Sequence, residues 1–378
     1  MDALMLPSNW QKIRLGDIAE IIGGGTPSTQ ITSFWNGSIN WFTPTEIGIT
    51  KYVYKSQRTI TPLGLKKSNA KLLPIGTILL TSRASIGDCA ILKVVATTNQ
   101  GFQSLIPLEK INNEFLYYLI LTLKNKLLEL ASGSTFLEVS PNKIKNLLIP
   151  LPPLNEQIAI ANVLSDLDRY LCSLDALILK KESVKKALSF ELLSQRKRLK
   201  GFNQAWQRVR LGDIANYLTS NLSAEQITQQ GKIKVYDVNN FIGYTNTTFI
   251  SDKPYISIVK DGSVGRVRIL PPKTNILSTM GALIANHKTT TEFLFYLLSN
   301  FDFKNFTSGS IIPHIYFKDY KEKTIFLPPL DEQIAIANIL SDLDSEIISL
   351  KNKKRQFENI KKALNHDLMS AKIRVLNK

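Results

Sequence analysis

Two short loops combine cations with small hydroxyl residues and glycine, the residue types that bind nucleic-acid phosphates and base edges. The first reads Thr81-Ser82-Arg83-Ala84-Ser85-Ile86-Gly87, and the second reads Lys260-Asp261-Gly262-Ser263-Val264-Gly265-Arg266. In loops of this kind, backbone N–H groups and hydroxyls can bind phosphate while an arginine reads guanine. The alternative is an ordinary hairpin turn with a surface arginine, and both interpretations stay open at this stage.

Other polar segments extend this pattern. An amide-rich run, Thr97 to Gln103, suits adenine edges, and Ser132-Gly133-Ser134 and Ser308-Gly309-Ser310 are either helix-ending turns or phosphate-contacting loops. His314 has no second histidine nearby, so we interpret it as a surface or groove side chain and not as a metal ligand. The residues predicted to contact DNA are Arg83, Ser85, Thr98, Asn99, Gln100, Ser132, Ser134, Lys143, Lys260, Ser263, Arg266, Ser278, Ser308, Ser310 and His314.

Catalytic motifs are missing from the sequence. It has no GxGxxG, GxxxxGK[ST], HExxH or CxxC pattern, and no [N/D]PP[Y/F] tetrapeptide of the kind that holds a target base in amino-methyltransferases. Its 2 cysteines and 3 histidines are too few and too scattered for a disulfide framework or a zinc site. We therefore predict a binding protein with no catalytic residues, no metal and no cofactor of its own.

The charge balance indicates a polyanionic partner. The chain carries 47 Lys and Arg against 31 Asp and Glu, a net charge of +16, of which residues 1–150 hold +6 and residues 201–326 hold +5. Nucleic acid is the first candidate and an anionic membrane surface the second. No apolar run is long enough for a transmembrane helix, and the N-terminus has no secretory signal, so we expect a cytoplasmic protein without a membrane partner.

The chain also repeats itself. Residues 10–19 (WQKIRLGDIA) recur at 206–215 (WQRVRLGDIA), and residues 151–168 (LPPLNEQIAIANVLSDLD) recur at 327–344 (LPPLDEQIAIANILSDLD). The offset falls from 196 to 176 between these two blocks, and 18 of the additional residues in the first copy lie between Ala19 and Ala84. The protein is therefore a tandem duplication whose copies differ most in one segment.

Each copy divides into a globular part and a helix. Short β-rich runs and one helical stretch predict an α+β domain with a mixed sheet, followed by about 45 helical residues with apolar positions spaced by three and four. We expect Asn155 and Asp331 to be the N-caps. The apolar stripes are buried either by each other or by another protein. We favour antiparallel pairing with approximate two-fold symmetry, because a globular segment separates the helices.

The duplicated PPL[N/D]EQIAIAN block (Pro152–Asn162 and Pro328–Asn338) and the LGDIA openings (Leu15–Ala19 and Leu211–Ala215) strongly resemble the specificity subunit of type I restriction–modification enzymes. The resemblance covers essentially the whole chain. It implies two target-recognition domains, 1–150 and 201–326, each followed by a conserved helical spacer, 151–200 and 327–378. The implied fold is α+β, with the two helices forming an antiparallel coiled coil.

The resemblance also implies a function and partners. The chain would read both halves of a split duplex DNA target, made asymmetric by the unequal copies, and would dock two modification (methyltransferase) subunits and, in the full complex, restriction subunits. The spacer and docking residues would be Asn155, Glu156, Gln157, Leu164, Leu171, Asp331, Glu332, Gln333, Leu340 and Ile347. A DNA-tethering adaptor and a structural coiled-coil protein are the alternatives. The adaptor would recover no methyltransferase, and the coiled-coil protein would not bind DNA.

Overall fold

The structure is a computed structural model of the 378-residue chain and describes residues 6–133 and 137–376. It divides into two units. The first contains the N-terminal part of the chain up to Leu174 together with the segment from Lys353 onward, and the second runs from Asp175 to Asn352. Both divisions fall inside long helices, so each unit contains one part of each long helix.

The first unit is a mixed α+β domain. Its strands are β1 (Gln11–Arg14), β2 (Ala19–Gly23), β3 (Trp35–Phe42), β4 (Tyr52–Val53), β5 (Arg58–Ile60), β6 (Ile78–Leu80), β7 (Cys89–Leu92), β8 (Ala96–Thr98), β9 (Gln103–Pro107) and β10 (Leu148–Leu151). Its helices are α1 (Pro62–Lys66), α2 (Asn113–Thr122), α3 (Lys124–Leu130), α4 (Pro141–Lys145) and the start of α5 (Leu154–Leu193).

Three sheets build this unit. They have the strand orders β2-β9-β6-β7-β4, β5-β3-β8 and β1-β10. The fully apolar strands β6 and β7 are buried along their whole length, and α2 packs Phe115, Leu116 and Tyr118 into the same core. Asn112 caps α2 by accepting a hydrogen bond from the Phe115 N–H at 2.9 Å.

The second unit repeats this plan. Its strands are β11 (Gln207–Arg210), β12 (Ala215–Thr219), β13 (Ile233–Tyr236), β14 (Phe241–Thr245), β15 (Tyr255–Val259), β16 (Val267–Leu270), β17 (Asn275–Ile276), β18 (Met280–Ala285) and β19 (Thr324–Leu327). Its helices are α6 (Thr291–Ser299), α7 (Phe317–Tyr320) and the start of α8 (Leu330–Met369).

The sheets of the two units correspond strand by strand, with one exception. The second unit has the orders β12-β18-β15-β16, β14-β13-β17 and β11-β19. It has no counterpart of β4, which joins the edge of the first sheet by pairing in parallel with β7. The strand lies in the segment where the sequence places the additional residues of the first copy. The insertion therefore extends a sheet that both copies share.

The long helices run antiparallel in each unit, as expected. In the first unit Asp168 of α5 pairs with Lys361 of α8, and Tyr170 packs on Phe357 with ring centroids 4.7 Å apart. Later residues of α5 therefore contact earlier residues of α8, as in an antiparallel pair.

The second unit shows the same antiparallel relation. Lys181 of α5 pairs with Glu346 of α8 at 2.8 Å, and Lys185, further along α5, pairs with Asp344, which comes earlier in α8. Each helix has 40 residues, fewer than the expected 45, and spans about 60 Å at ~1.5 Å per residue.

The N-cap prediction is wrong. Both helices begin two residues earlier than those caps would place them, at Leu154 and Leu330, and the carbonyl of the preceding proline accepts the first helical hydrogen bonds. Gln157 N donates to Pro153 O at 3.0 Å, and Gln333 N donates to Pro329 O at 3.0 Å. Asn155 and Asp331 are exposed residues of the first turn, where polar and acidic side chains suit the helix dipole.

No helix within residues 6–133 and 137–376 has both the length and the apolar composition that a membrane crossing requires.

Candidate nucleic-acid interface

Three loops of the first unit meet at one place. Ser82 N donates to Gly101 O at 2.8 Å, and Val139 N donates to Ser82 O at 3.1 Å. These bonds join loops 81–88 and 99–102 to residues 131–133 and 137–140, and we call these residues together the first three-loop surface. The structure therefore brings together the segments that the sequence singled out separately.

The second unit has the same arrangement. Lys260 N donates to Thr279 O at 3.0 Å, and Ile315 N donates to Lys260 O at 2.9 Å. Loops 260–266, 277–279 and 307–315 form the second three-loop surface. Because the linking bonds are between backbone groups, the side chains of both surfaces can differ while the frame stays the same.

A cation of the first three-loop surface is paired and still accessible. Arg83 Nη2 lies 2.8 Å from Glu138 Oε2, and the two side chains keep 41% and 34% of their exposure. Nearby, Lys143 Nζ donates to Ser132 Oγ at 3.1 Å and to Leu130 O at 2.8 Å. A guanidinium held in this way is oriented before it meets a ligand, which suits bidentate contact with guanine.

The second surface carries different side chains in the same frame. Ser308 and His314 exchange backbone hydrogen bonds at 2.9 and 2.8 Å, just as Ser132 and Glu138 do at 3.0 and 3.0 Å. His314 thus occupies the position of Glu138. Its backbone bridge to Asp261 matches the bridge from Glu138 to Arg83. An acid stands where the first surface has a cation, and an imidazole stands where it has an acid.

The other residues predicted to contact DNA differ in their solvent exposure. Thr98 is only 1% exposed, so its prediction as a DNA contact is wrong, and its carbonyl instead accepts from Gly25 N. Asn99 Oδ1 accepts from Gly101 N at 2.8 Å, which shapes loop 99–102, and Gln100 accepts from Thr26 Oγ1 at 2.5 Å. Ser85 is half-buried and its carbonyl accepts from Thr81 Oγ1 at 2.6 Å.

In the second unit, Ser263, Ser308 and Ser310 are exposed and Lys260 is half-buried. Arg266 extends away from the loop and donates to Asn239 Oδ1 at 2.8 Å, whereas the backbone of Ser278 donates to Leu222 O. Ser134 lies outside the described residues.

Sequence reasoning missed the partners of these cations. Glu138 had a readable signal, because it follows Ser132 by six residues, as His314 follows Ser308. Two further arginines, which are exposed or half-buried, stack on aromatic rings of the three-stranded sheet of each unit. Arg58 lies 3.8 Å from the ring centroid of Trp35, and Arg268 lies 5.3 Å from that of Tyr236. Their partners are distant in sequence, so spacing could not reveal them.

A buried carboxylate lies at the start of each long helix. Glu156 is 2% exposed, and Arg374 donates to both of its oxygens, at 2.5 and 2.9 Å, while Trp10 Nε1 donates at 3.2 Å. In the second unit, Glu332 is fully buried and accepts from Arg198 at 3.1 and 2.6 Å and from Trp206 at 2.9 Å. A buried carboxylate is stable only with such complete pairing.

The glutamine that follows each glutamate is also internal. Gln157 accepts from Asn112 N at 2.8 Å and donates to the carbonyls of Lys110 and Pro152. Gln333 makes the equivalent bonds, with Thr290 N as donor and the carbonyls of Lys288 and Pro328 as acceptors. The Glu-Gln pairs of the repeated motif therefore fasten each helix to the globular domain that precedes it, and these buried side chains are not available for docking another subunit.

The remaining predicted helix residues also separate by exposure. Leu164, Leu340 and Ile347 are buried, and Leu171 lines a cavity of about 640 Å³. Leu154, Ile158, Leu330 and Ile334 show the opposite behaviour, with 43–47% of their surface exposed, and they occupy equivalent positions in the two helices. Each helix start thus has two exposed aliphatic residues. We call these four residues together the exposed apolar face of the helix starts.

No group of His, Cys, Asp and Glu residues within the described ranges is arranged to hold a metal ion.

Comparison with known proteins identifies the family. The family model "Type I restriction modification DNA specificity domain" matches residues 7–181 and 203–359. The type I restriction enzyme MjaIX specificity subunit of Methanocaldococcus jannaschii is 30% identical, with 98% of this chain and 95% of the relative covered. The EcoR124I/EcoR124II specificity subunit of Escherichia coli is 36% identical over 41% of this chain and 40% of the relative.

Solved structures show the same fold. The S subunit of a type I restriction-modification system from M. genitalium has a TM-score of 0.61 at 21% identity and covers 97% of this chain and 98% of its own. The HsdS subunit of Thermoanaerobacter tengcongensis has a TM-score of 0.56 at 18% identity, with 98% and 99% covered.

The fold and the two loop surfaces thus define a duplicated α+β protein with paired helices. The chain belongs to the type I restriction–modification DNA specificity subunits, a non-catalytic class, and its sequence contains the family domain twice.

Proposed function

We propose that this chain reads the two unlike halves of a split duplex DNA target, one with each three-loop surface. The observation that supports this most directly is the shared backbone frame with exchanged side chains, in which an acid replaces Arg83 and an imidazole replaces Glu138. Residues 1–150 and 201–326 are the two readers in this proposal, and residues 151–200 and 327–378 are the spacers. Because the readers present different groups in the same frame, the half-sites differ and the target is asymmetric.

The basic charge supports the general part of DNA binding. Neutralising phosphates gives salt-dependent affinity without sequence preference, and a few side chains per half-site then discriminate bases. The readers hold +11 of the net +16, so most of the charge lies on the segments proposed to contact DNA. In this proposal the protein acts in the cytoplasm.

The partners in this proposal are two modification subunits, each bound to one helix start, and restriction subunits in the full complex. The exposed apolar face of the helix starts supports equivalent docking, because Leu154 and Ile158 recur as Leu330 and Ile334. Exposed aliphatic pairs at equivalent positions suit two copies of one partner. The methylation chemistry and its cofactor would belong to those subunits.

The test is to co-express the chain with a cognate modification subunit and to map methylated adenines across the genome. The expected result is a split motif with two unlike half-sites and one fixed gap. A continuous motif, or two identical half-sites, would contradict the proposal. A chain that binds DNA but recovers no modification subunit would indicate a tethering adaptor.

A further inference from the structure

One carboxylate in the first unit connects three separate elements. Asp168 of α5 accepts a hydrogen bond from the Tyr118 hydroxyl of α2 and pairs with Lys361 of α8. The recognition domain contributes the tyrosine, and the two long helices contribute the acid and the lysine. A single group therefore ties the reader to both helix segments of its unit.

The second unit contains the same triad with the helices exchanged. Tyr296 of α6 donates to Asp344 of α8 at 2.9 Å, and Asp344 pairs with Lys185 of α5. Here α8 supplies the acid and α5 the lysine. All three residue types are thus kept in both copies.

The neighbouring position shows that the two copies do not share every tyrosine of this helix. Tyr117, one position before Tyr118, corresponds to Phe295 in the second copy. Tyr117 has no side-chain hydrogen bond among the described residues. Between the copies, the tyrosine hydroxyl is kept where it meets the carboxylate and lost where it does not.

The hydrogen bond of the triad depends on geometry, whereas apolar packing does not have a preferred direction. Phe115 and Leu116 are fully buried beside Tyr118, but such contacts resist separation more than sliding. A hydrogen bond is lost within a few tenths of an ångström and a few tens of degrees. Burial, and then the bond to Asp168, raise the pKa of Tyr118 above its ordinary value, so the hydroxyl remains a donor at physiological pH.

The first unit has an additional tie. Lys51, which directly precedes β4, donates to the Tyr118 hydroxyl at 2.9 Å and to Ser165 Oγ of α5 at 2.8 Å, and it also pairs with Glu114. The second unit lacks the strand that would carry an equivalent residue. The reader of the first unit is therefore held by one more cation than the reader of the second.

We propose that the Tyr118–Asp168–Lys361 and Tyr296–Asp344–Lys185 triads are positioning residues that restrict the complex to one gap between the half-sites. The inference rests on the proposed reading of a split target. One base pair adds ~3.4 Å and about a tenth of a turn of B-DNA, so a gap changed by one pair requires a small slide and rotation of a reader. The triads oppose that movement.

Tyr296→Phe is the main test, because it removes one hydroxyl and keeps the ring. We expect methylation, mapped in cells that co-express the modification subunit, to appear at sites whose gap is one base pair longer or shorter. The fraction of such sites should rise about tenfold, roughly the factor that one partly buried hydrogen bond to a charged group contributes, with the half-site bases unchanged. Tyr118→Phe should have a smaller effect, because Lys51 still holds Ser165, and the Tyr118→Phe/Lys51→Ala double variant should match Tyr296→Phe.

Tyr117→Phe is the matched control, and in this variant methylation should still occur only at sites with one gap length. Asp344→Asn serves as a second variant if Tyr296→Phe fails to fold, because the amide oxygen still accepts from Tyr296 while the pair with Lys185 is lost. A merely structural role would lower the melting temperature and the yield of methylation without changing the gap.

A single gap in every folded triad variant would overturn the positioning role, while the wild-type split motif would leave the proposed function intact. A wild-type motif that is not split would overturn both.

Discussion

The three-loop surfaces and the helix starts differ in how the two copies compare. At the helix starts, Glu156 and Glu332 are identical and each is clamped by a tryptophan and an arginine. At the loop surfaces, Arg83 and Glu138 are replaced by Asp261 and His314 within an equivalent backbone frame. The buried glutamates, whose oxygens accept internal hydrogen bonds, have stayed the same, whereas the exposed ion pair of Arg83 and Glu138 has changed.

This difference separates two tasks within one duplicated unit. A buried carboxylate cannot be exchanged without changing its partners at the same time, because an unpaired buried charge is strongly destabilising. An exposed ion pair contributes little to stability, so its members can be replaced at small cost. The loop surfaces can therefore exchange their side chains while the fastening of each helix stays fixed.

The largest expected effect is at the helix starts. Glu156→Ala leaves the guanidinium of Arg374 and the indole of Trp10 without their acceptor, and we expect the free energy of unfolding to fall by about 3–5 kcal/mol. Glu332→Ala should destabilise the second unit in the same way. Urea denaturation followed by circular dichroism measures both.

The control for this prediction is Asp166→Ala, which breaks an exposed ion pair with Arg169 on the same helix. It should change the unfolding free energy by less than about 1 kcal/mol. An equally small loss for Glu156→Ala would show that the clamp is not a structural requirement.

The second effect concerns the side chains that differ between the two loop surfaces. Arg83→Ala should remove the preference for one base pair in one half-site, by about 1–3 kcal/mol, because a guanidinium can bind guanine in two places. Asp261→Ala should change a base in the other half-site, where a carboxylate suits the amino group of cytosine. Competition between duplexes with single base substitutions, measured on the complex with its modification subunit, reports both.

Arg14→Ala removes an exposed cation outside the loop surfaces and should leave base preference unchanged. If Arg83→Ala and Asp261→Ala affected the same half-site, the assignment of one reader to each half would be wrong.

The repeats and the long helices were predictable from sequence, because duplication marks equivalent segments and apolar spacing marks a helix seam. The internal role of the Glu-Gln motif was not predictable. The resemblance to the family implied a docking role for these residues, but Glu156 meets Arg374, which is 218 residues away. No local pattern records a partner at that distance. Thr98 failed for a related reason, since a polar residue on a short strand reads like a loop residue until the sheet is known.

The third effect tests the equivalence of the helix starts. Leu154→Ser/Ile158→Ser should weaken binding of one modification subunit, since each aliphatic side chain is about half exposed and would contribute about 1 kcal/mol on burial. Leu330→Ser/Ile334→Ser should weaken the other. Native mass spectrometry at limiting concentration should show loss of one subunit from each variant and of both from the combined variant.

An unchanged stoichiometry in the combined variant would exclude the exposed apolar face as the docking site. Ile348→Ser, which alters another exposed aliphatic residue of α8, is the matched control and should retain both subunits.

The smallest effect tests the shared backbone frame itself. Ala84 has a φ of 56°, and its counterpart Gly262 has a φ of 81°, so both loops use a left-handed residue but only one uses glycine. Ala84→Gly should relieve strain and raise the unfolding free energy by about 0.5–1 kcal/mol, whereas Gly262→Ala should lower it by a similar amount. A Cβ at Gly262 would meet nothing within 4 Å, so its cost would come from backbone strain and not from a clash. Opposite shifts of the melting temperature in the two variants, with the base preference of each reader unchanged, would show that the loops share one backbone conformation and differ only in what they present. Shifts of the same sign would mean that the two loops reach their left-handed turn in different ways.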